Sequence, residues 1–189
     1  MFTSSRILRR VSTFVILVSC LFVYTSCGSD QATDGTTENA SAESAAEKPL
    51  GYLIDRYLKA YPDELTAISD SEKAPEVFAA MEAYNAGRYA EAIDLFPNYA
   101  QSKEQAGYIH LYKGVSELMA DKEYDAFKTF QQINSSMGKA MEISNWYLTL
   151  NYVGFNNVFE ARRKLESIIA AGAYPGETAQ ALLDDLPEN

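Results

Sequence analysis

The sequence predicts an all-helical fold in which helical hairpins stack side by side into a short solenoid. Between Ala74 and Leu186 there is no sustained two-residue alternation of apolar and polar residues, the pattern that a half-buried strand would require. Turn-forming residues instead recur between helical stretches, at 85–87, 121–123, 135–138, 155–157 and 172–176. A repeat supports the same fold, because Ala92, Ala126 and Ala161 lie 34 and 35 residues apart.

Residues 1–26 have the pattern of a secretory signal peptide. The basic residues that open it are Arg6, Arg9 and Arg10. The apolar run that follows, residues 11–24, is shorter than the ~18 residues that a membrane-spanning helix usually needs. Small residues then lead into Cys27, and this junction resembles the lipobox of bacterial lipoproteins. The resemblance implies that Cys27 is acylated and becomes the first residue of the mature chain.

Two alternatives to Cys27 as the anchor stay open. Residues 17–20 fit the usual lipobox better, but cleavage before Cys20 would leave the apolar residues 21–24 at the new terminus, where a polar tether is normal. The apolar run is alternatively an uncleaved membrane anchor. Cleavage before Cys27 removes three basic and no acidic residues, so the formal net charge changes from −10 to −13. Such an acidic domain argues against nucleic acid as a partner.

Residues 27–48 are predicted to comprise the acylated cysteine and a disordered acidic tether. The stretch GSDQATDGTTENASAESAAEK has no aliphatic residue larger than alanine and carries five acids against one lysine. It therefore lacks the apolar surface that folding requires. As a random coil of this length it would reach roughly 25 Å, which suits a domain held away from a bilayer.

Residues 49–72 are predicted to form an N-terminal helical segment. Apolar residues at positions 50, 53, 54, 57 and 58 fall on one face of an amphipathic helix. Pro62 is expected to stop this helix, and a second short turn is expected over residues 63–68.

Residues 73–189 carry a repeat of about 34 residues that predicts three helical hairpins. The corresponding positions besides the three alanines are Phe96, Phe130 and Leu165; Tyr99, Ile133 and Ile168; Val77, Leu111 and Trp146; Phe78, Tyr112 and Tyr147; Met81, Val115 and Leu150; and Tyr84, Leu118 and Val153. Small residues also correspond, at Ala80, Gly114 and Thr149, where a second helix would approach closely. Each hairpin buries its apolar face only by stacking on a neighbour.

The three units resemble tetratricopeptide repeats, and they span residues 73–106, 107–140 and 142–175. Stretches such as NAGRYAEAIDLF are close to the family pattern. The chain departs from that pattern at Trp146, which comes one position late, at Lys113, which replaces an aliphatic residue, and in lacking the proline near the end of each unit. Pro97 falls inside the predicted second helix of the first unit and is expected to kink or end it.

The repeats are flanked by segments that resemble the ends of such arrays. Residues 175–186, PGETAQALLDDL, place their apolar residues on one face and look like a C-terminal capping helix. The segment YLIDRYLKAYPDEL, ahead of the first unit, is similar to the aromatic-rich YP segment that precedes repeats in many proteins from the Bacteroidetes.

The sequence contains no motif that indicates catalysis. It has no glycine-rich phosphate loop, no HExxH, no GxSxG and no CxxC. His110 is the only histidine, and we interpret it as a surface or interhelical residue because no second catalytic element accompanies it. The acidic pairs Asp63–Glu64 and Asp184–Asp185 are interpreted as solvated charge. We therefore expect no enzyme activity, no cofactor and no metal site.

The resemblance to tetratricopeptide repeats implies a concave groove lined by the first helix of each unit. The groove positions fall on Val77, Met81, Tyr84, Tyr108, Leu111, Val115, Leu118, Ile143, Trp146, Leu150 and Val153. They are almost all apolar, and none is the Lys, Asn or Arg with which family members clamp a peptide carboxylate. An exposed apolar groove of this size indicates an interaction surface.

Two occupants of this groove are considered. One is an amphipathic helix or extended segment of another envelope protein. The other is the chain's own helix at residues 50–61. If the chain fills its own groove, Leu53, Ile54, Tyr57 and Leu58 should be buried against Leu111, Val115, Trp146 or Leu150.

The expected function is that of an outer-membrane lipoprotein of the bacterial envelope, periplasmic or surface facing, which acts as a non-catalytic protein interaction scaffold. Its expected partners are a protein or peptide of the envelope and, through the acyl anchor, the lipid bilayer. The alternative is an accessory subunit of an outer-membrane assembly or of a nutrient (glycan) uptake complex. A glycan-binding version would need exposed aromatic side chains on one rim, for which Tyr84, Tyr108 and Trp146 are the candidates.

Overall fold

The computed structural model describes residues 50–188, and this part of the chain is all-helical, without a strand. The predicted all-helical class is confirmed, whereas the signal peptide, Cys27 and the tether lie outside the described residues. The helices are α1 (Gly51–Tyr57), α2 (Pro75–Asn85), α3 (Tyr89–Leu95), α4 (Lys103–Met119), α5 (Glu123–Phe130), α6 (Lys139–Gly154), α7 (Val158–Ala170) and α8 (Glu177–Asp185). Two 3₁₀ turns lie at Thr66–Ile68 and Ser135–Met137. Over residues 50–188, no helix is both long and apolar enough to span a bilayer.

Helices α2 to α7 pack as three successive hairpins. Helix α2 packs against α3, α4 against α5 and α6 against α7, and neighbouring hairpins meet through α3–α4, α5–α6 and α4–α6. The second helices begin at Tyr89, Glu123 and Val158, and are therefore 34 and 35 residues apart. Helix α8 packs on α7, while α1 packs on α6 and α8. This order of contacts is compatible with an α-solenoid.

Of the two prolines expected to end a helix, Pro97 does so and Pro62 does not. Helix α3 ends at Leu95, and Phe96 is extended (φ −61°, ψ 125°), because the ring of Pro97 disfavours the helical conformation in the residue before it. Helix α1 ends at Tyr57, earlier than the sequence predicts, and Leu58 is already extended. Pro62 therefore lies within a non-helical segment that connects α1 to the first 3₁₀ turn.

The repeated small residues allow close contacts between helices. Ala92, Ala126 and Ala161 are fully buried. Gly114 lies directly against the ring of Phe130, since a Cβ atom at this glycine would stand 2.5 Å from the Phe130 Cε1 atom. The ring of Phe130 is itself buried and stacks on Tyr147, with the ring centroids 6.1 Å apart. The packing therefore requires glycine at position 114.

Gly114→Ala is expected to lower the free energy of unfolding by about 1–3 kcal/mol. In an open helix the same change would stabilise the protein by roughly 0.5–1 kcal/mol, but here the added methyl group overlaps a confined ring. Gly154→Ala in α6 is the control, because its nearest neighbours would lie 4.0 Å from the new Cβ atom. Urea denaturation of both variants measures the difference, and equal stabilities would contradict the close approach.

Candidate peptide-binding groove

Residues 58–65, called the strap, run in a non-helical conformation along the first helices of the three hairpins. Two of its side chains point into the protein, because Tyr61 is 5% exposed and Leu65 is fully buried. Lys59, Ala60 and Pro62 are exposed. The strap therefore has one face in the groove and one face in solvent.

Each of the three first helices contributes a tyrosine hydroxyl that donates a hydrogen bond to the backbone of the strap. Tyr147 of α6 donates to the carbonyl of Lys59 at 2.8 Å, and Tyr84 of α2 donates to the carbonyl of Tyr61 at 3.0 Å. Tyr112 of α4 donates to the carbonyl of Pro62. The Tyr112 oxygen also accepts a hydrogen bond from the backbone N–H of Glu64, at 2.7 Å. The strap carbonyls have no hydrogen-bond donor from a helix or sheet of their own, and the tyrosines of the groove supply one.

Burial keeps these three hydroxyls protonated. Desolvation raises the pKa of Tyr84, Tyr112 and Tyr147 well above the ordinary tyrosine value. A tyrosine is already protonated at neutral pH, and the raised pKa extends this state to more alkaline pH, so each hydroxyl stays available as a donor.

The tyrosines of the first helices are a sequence signal for these hydrogen bonds, and the comparison of repeat positions alone does not use it. Tyr112 and Tyr147 occupy equivalent repeat positions, but the equivalent residue in the first unit is Phe78, which has no hydroxyl, and Tyr84 supplies the donor of that unit instead. A buried tyrosine hydroxyl usually needs a partner. The backbone carbonyls inside a helix already accept hydrogen bonds from their own helix. Buried tyrosines on three successive first helices therefore indicate that their hydroxyls donate to an acceptor outside these helices.

The ring of Tyr61 anchors the strap among other tyrosines. It lies edge-on to Tyr174, with the ring centroids 5.5 Å apart, and is tilted against Tyr112 at 6.1 Å. Tyr112 in turn stacks on Tyr108 at 6.2 Å and meets Tyr84 edge-on at 5.1 Å. Aromatic pairs in such geometries contribute about 0.5–1.5 kcal/mol beyond the area that they bury.

A carboxylate near the end of the strap is held by donors from two helices. The Nζ atom of Lys139 lies 2.7 and 3.0 Å from the two carboxylate oxygens of Glu64. Tyr108 donates to Oε2 at 2.7 Å, and Tyr61 donates to Oε1 at 3.0 Å. The hydrogen bond from Lys139 is the main cause of a lowered pKa at Glu64, against an opposing effect of burial. The groove is therefore apolar along its length and cationic at this point.

The stabilising contribution of Glu64 should depend on pH. Because its pKa is lower in the folded than in the unfolded protein, this contribution is complete above the unfolded pKa and is lost as the pH falls through the folded pKa. We expect the wild type to melt at a higher temperature than Glu64→Gln at pH 7, with the difference disappearing as the pH falls through the lowered pKa of Glu64. The exposed Glu82 of α2 supplies the control Glu82→Gln. A difference in Tm that does not change with pH would contradict the contact.

Three of the four carboxylates in the acidic pairs are not the solvated charge that the sequence analysis expected, whereas Asp184 is exposed, as expected. Besides Glu64, Asp63 accepts hydrogen bonds from the Thr66 N–H at 3.1 Å and from the Asn85 side chain at 3.0 Å. Asp185 accepts from Arg56 at 2.7 Å and from the hydroxyl of Tyr57 at 2.6 Å, which joins α1 to α8. Three of these four carboxylates hold the N-terminal segment on the remainder of the domain.

All eleven predicted groove residues are buried within the chain. Their exposed fractions range from 0% to 6% for Val77, Met81, Tyr84, Tyr108, Leu111, Val115, Leu118, Ile143, Trp146, Leu150 and Val153. None is therefore available at the surface to a partner in this conformation. Burial also removes Tyr84, Tyr108 and Trp146 as the exposed rim that a glycan site would need.

The occupant of the groove is the chain's own N-terminal segment, the second of the two occupants considered above. Leu53 is fully buried and Tyr57 is 7% exposed, while Ile54 and Leu58 are partly buried. The ring of Tyr57 meets Trp146 edge-on, with the ring centroids 6.5 Å apart. The sequence predicts a helix as the covering element, but α1 covers only one end and the non-helical strap covers the remainder.

His110 lies away from this groove. It lines a cavity of about 350 Å³ between α4, α5 and residues 97–100, together with Lys113 and Thr129. Burial, followed by the charge of Lys113, lowers the pKa of His110, so the imidazole is neutral at pH 7.

A second surface feature is a group of aromatic residues on α5, on α7 and at the end of α6, called the aromatic patch. Its members are Tyr124, Phe127, Tyr152, Phe155 and Phe159. Phe127 contacts both Tyr152 and Phe155 edge-on, with ring centroids 5.8 Å apart in each pair. Tyr124 and Phe159 are 68% and 65% exposed. This aromatic patch is a candidate docking surface that the repeat pattern did not indicate, because it lies outside the positions shared by the three units.

The described part of the chain offers no metal site, since no three His, Cys, Asp or Glu side chains cluster there in a way that would hold an ion. In comparisons with known proteins, the chain matches no family model, no curated protein and no solved structure.

Proposed function

We propose that this protein is a membrane-anchored lipoprotein of the bacterial envelope and that it acts as a non-catalytic scaffold for protein interactions. The observation that carries the proposal is the set of three tyrosine hydroxyls, one from each first helix, that donate to carbonyls of the strap. Every peptide has backbone carbonyls, so a surface built in this way suits extended polypeptide. Groove positions that hold a peptide through its main chain are a recurring mode of peptide recognition.

The proposal includes a tetratricopeptide-like arrangement of the three hairpins. It is supported by second helices that begin 34 and 35 residues apart and by hairpins that contact one another in chain order. Helix α8 would then be the C-terminal cap, because it packs on α7 at the end of the array. Arrays of this kind present one continuous concave surface and so bind extended ligands.

The anchor of the proposed scaffold is Cys27. We expect Cys27→Ala to release the protein from membranes into the soluble fraction, since two or more acyl chains hold a lipoprotein on a bilayer almost permanently. Cell fractionation followed by immunoblotting measures this. Cys20→Ala is the matched control and should leave the protein with the membranes. The reverse result, release by Cys20→Ala alone, would place the lipid on the other cysteine.

Site-specific photo-crosslinking in whole cells tests the scaffold. The photoreactive residue p-benzoylphenylalanine is placed at Tyr174, which is 40% exposed and touches Tyr61 at the rim of the groove. The control position is Tyr99, which is 50% exposed and lines the cavity of His110. We expect one discrete envelope protein to crosslink from position 174 and not from position 99. Absence of adducts from both positions would contradict the proposal.

The aromatic patch favours a second candidate, an accessory subunit of an outer-membrane assembly or of a glycan uptake complex. Exposed aromatic side chains are enriched at protein interfaces, and Tyr124, Phe155 and Phe159 of the patch are exposed. The same photoreactive residue at Phe159 tests this candidate. An adduct from position 159 alone would favour docking through the patch over binding in the groove.

A further inference from the structure

We propose that the strap is an exchangeable occupant of the groove and that the groove takes, from a partner, an extended peptide of the pattern aromatic–Pro–x–acidic–aliphatic. This inference rests on the proposed scaffold function and adds the chemistry of the ligand and the way in which binding is restrained.

The strap itself defines the ligand. Its aromatic residue, Tyr61, is buried among tyrosines, and its aliphatic residue, Leu65, is fully buried. The acidic residue, Glu64, meets Lys139 and Tyr108. Pro62 is exposed and contributes a carbonyl to Tyr112. A partner with the same residues at the same spacing would make the same contacts.

The strap is able to leave because of its place in the chain. It precedes α2, so its departure breaks none of the contacts between the three hairpins. The helix in front of it, α1, has only seven residues and no side-chain cap, and a helix of that length is not stable on its own. The tie between Arg56 and Asp185 is exposed, and surface ion pairs of this kind add little stability. Because the segment also buries Leu53 and Leu65 completely, it leaves the groove only by local unfolding in a small fraction of molecules.

Attachment in the same chain makes the strap a strong competitor. A segment joined to the groove by a short connection acts as a ligand at high effective concentration, so a free peptide meets a groove that is mostly closed. The apparent affinity of the peptide is its intrinsic affinity multiplied by the fraction of molecules in which the strap has left the groove. Weakening the strap without changing the groove should therefore reveal peptide binding.

The experiment measures fluorescence anisotropy of a labelled synthetic peptide with the sequence of residues 57–66, YLKAYPDELT. The protein is the full chain as wild type, as Tyr61→Ala, and as the control Tyr52→Ala, whose tyrosine is 57% exposed on α1. We expect Tyr61→Ala to bind the peptide at least about tenfold more tightly than the wild type or the control does.

The position of the peptide is tested by a double-mutant cycle. Lys139→Ala in the Tyr61→Ala protein should weaken binding of the natural peptide, and should have little further effect when the glutamate of the peptide is replaced by glutamine. Effects that simply add would show that the peptide lies elsewhere and would overturn the proposal.

Three other outcomes would also overturn it. One is a Tyr61→Ala protein that melts cooperatively but does not bind the peptide more tightly than the wild type. The second is loss of cooperative melting in Tyr61→Ala and also in the milder Glu64→Gln, which would make the strap an integral part of the fold. The third is a concentration-dependent dimer of the wild type, which would make a second copy of the chain the occupant. A crosslink from Tyr174 in cells combined with any of these results would leave the scaffold function standing and reject only the ligand proposed here.

Discussion

Trp146→Ala is expected to lower the free energy of unfolding by about 3–5 kcal/mol, the usual cost of removing a large aromatic side chain from a core. Trp146 is 2% exposed on α6, and its ring meets Tyr57 of α1. Truncation leaves a cavity between two helices and removes the contact that holds the N-terminal segment at this end. Small domains have total stabilities of about 5–15 kcal/mol, so this substitution removes a large fraction of the stability of the domain.

Phe159→Ala is the matched control, because Phe159 lies on α7 and is 65% exposed. Its unfolding free energy should stay within about 0.5 kcal/mol of the wild-type value. Urea denaturation followed by circular dichroism distinguishes the two variants. Similar midpoints would show that Trp146 does not belong to the core. The prediction also affects binding assays. If the Trp146→Ala variant no longer binds a partner, the loss of binding would report unfolding and not the loss of a contact with Trp146.

The helices were predictable from the sequence because their signals are local. Periodicity of apolar residues, turn-forming residues and Pro97 indicated where helices lie and where α3 ends. The predicted starts of the second and third units were less accurate. Helix α4 begins at Lys103, ahead of the predicted start at residue 107, because the side chain of Ser102 accepts a hydrogen bond from the Gln105 N–H at 3.0 Å.

The exposure of the groove was not predictable in the same way. The structure shows that apolar residues such as Leu111 and Leu150 are buried, but a repeat pattern does not state what covers them. The strap, which covers most of these residues, has no periodic apolar pattern, since Tyr61 and Leu65 are its only buried side chains. Its other attachments go through the carboxylates of Asp63 and Glu64 and through backbone carbonyls. The carbonyls are common to every residue, so the strap sequence does not show which of them accept a hydrogen bond.

The hydroxyl of Tyr112 has the second largest expected effect, because it makes two hydrogen bonds to the strap. Tyr112→Phe keeps the buried ring but leaves the carbonyl of Pro62 without its donor and the N–H of Glu64 without its acceptor. We expect the free energy of unfolding to fall by about 2–3 kcal/mol, from two lost bonds of about 1 kcal/mol each and the added cost of groups left without partners.

Tyr84→Phe is the matched comparison, since the Tyr84 hydroxyl makes a single bond, to the carbonyl of Tyr61 at 3.0 Å. It should cost about 1 kcal/mol, and Tyr124→Phe, at a tyrosine that is 68% exposed, should cost nothing measurable. Amide hydrogen exchange separates the two buried tyrosines further, because protection of the Glu64 N–H should fall in Tyr112→Phe and persist in Tyr84→Phe. Equal losses of stability and equal exchange at Glu64 would mean that the Tyr112 oxygen does not accept from this amide. The strap would then depend on the packing of Tyr61 and Leu65, and a partner peptide would need their side chains more than its backbone.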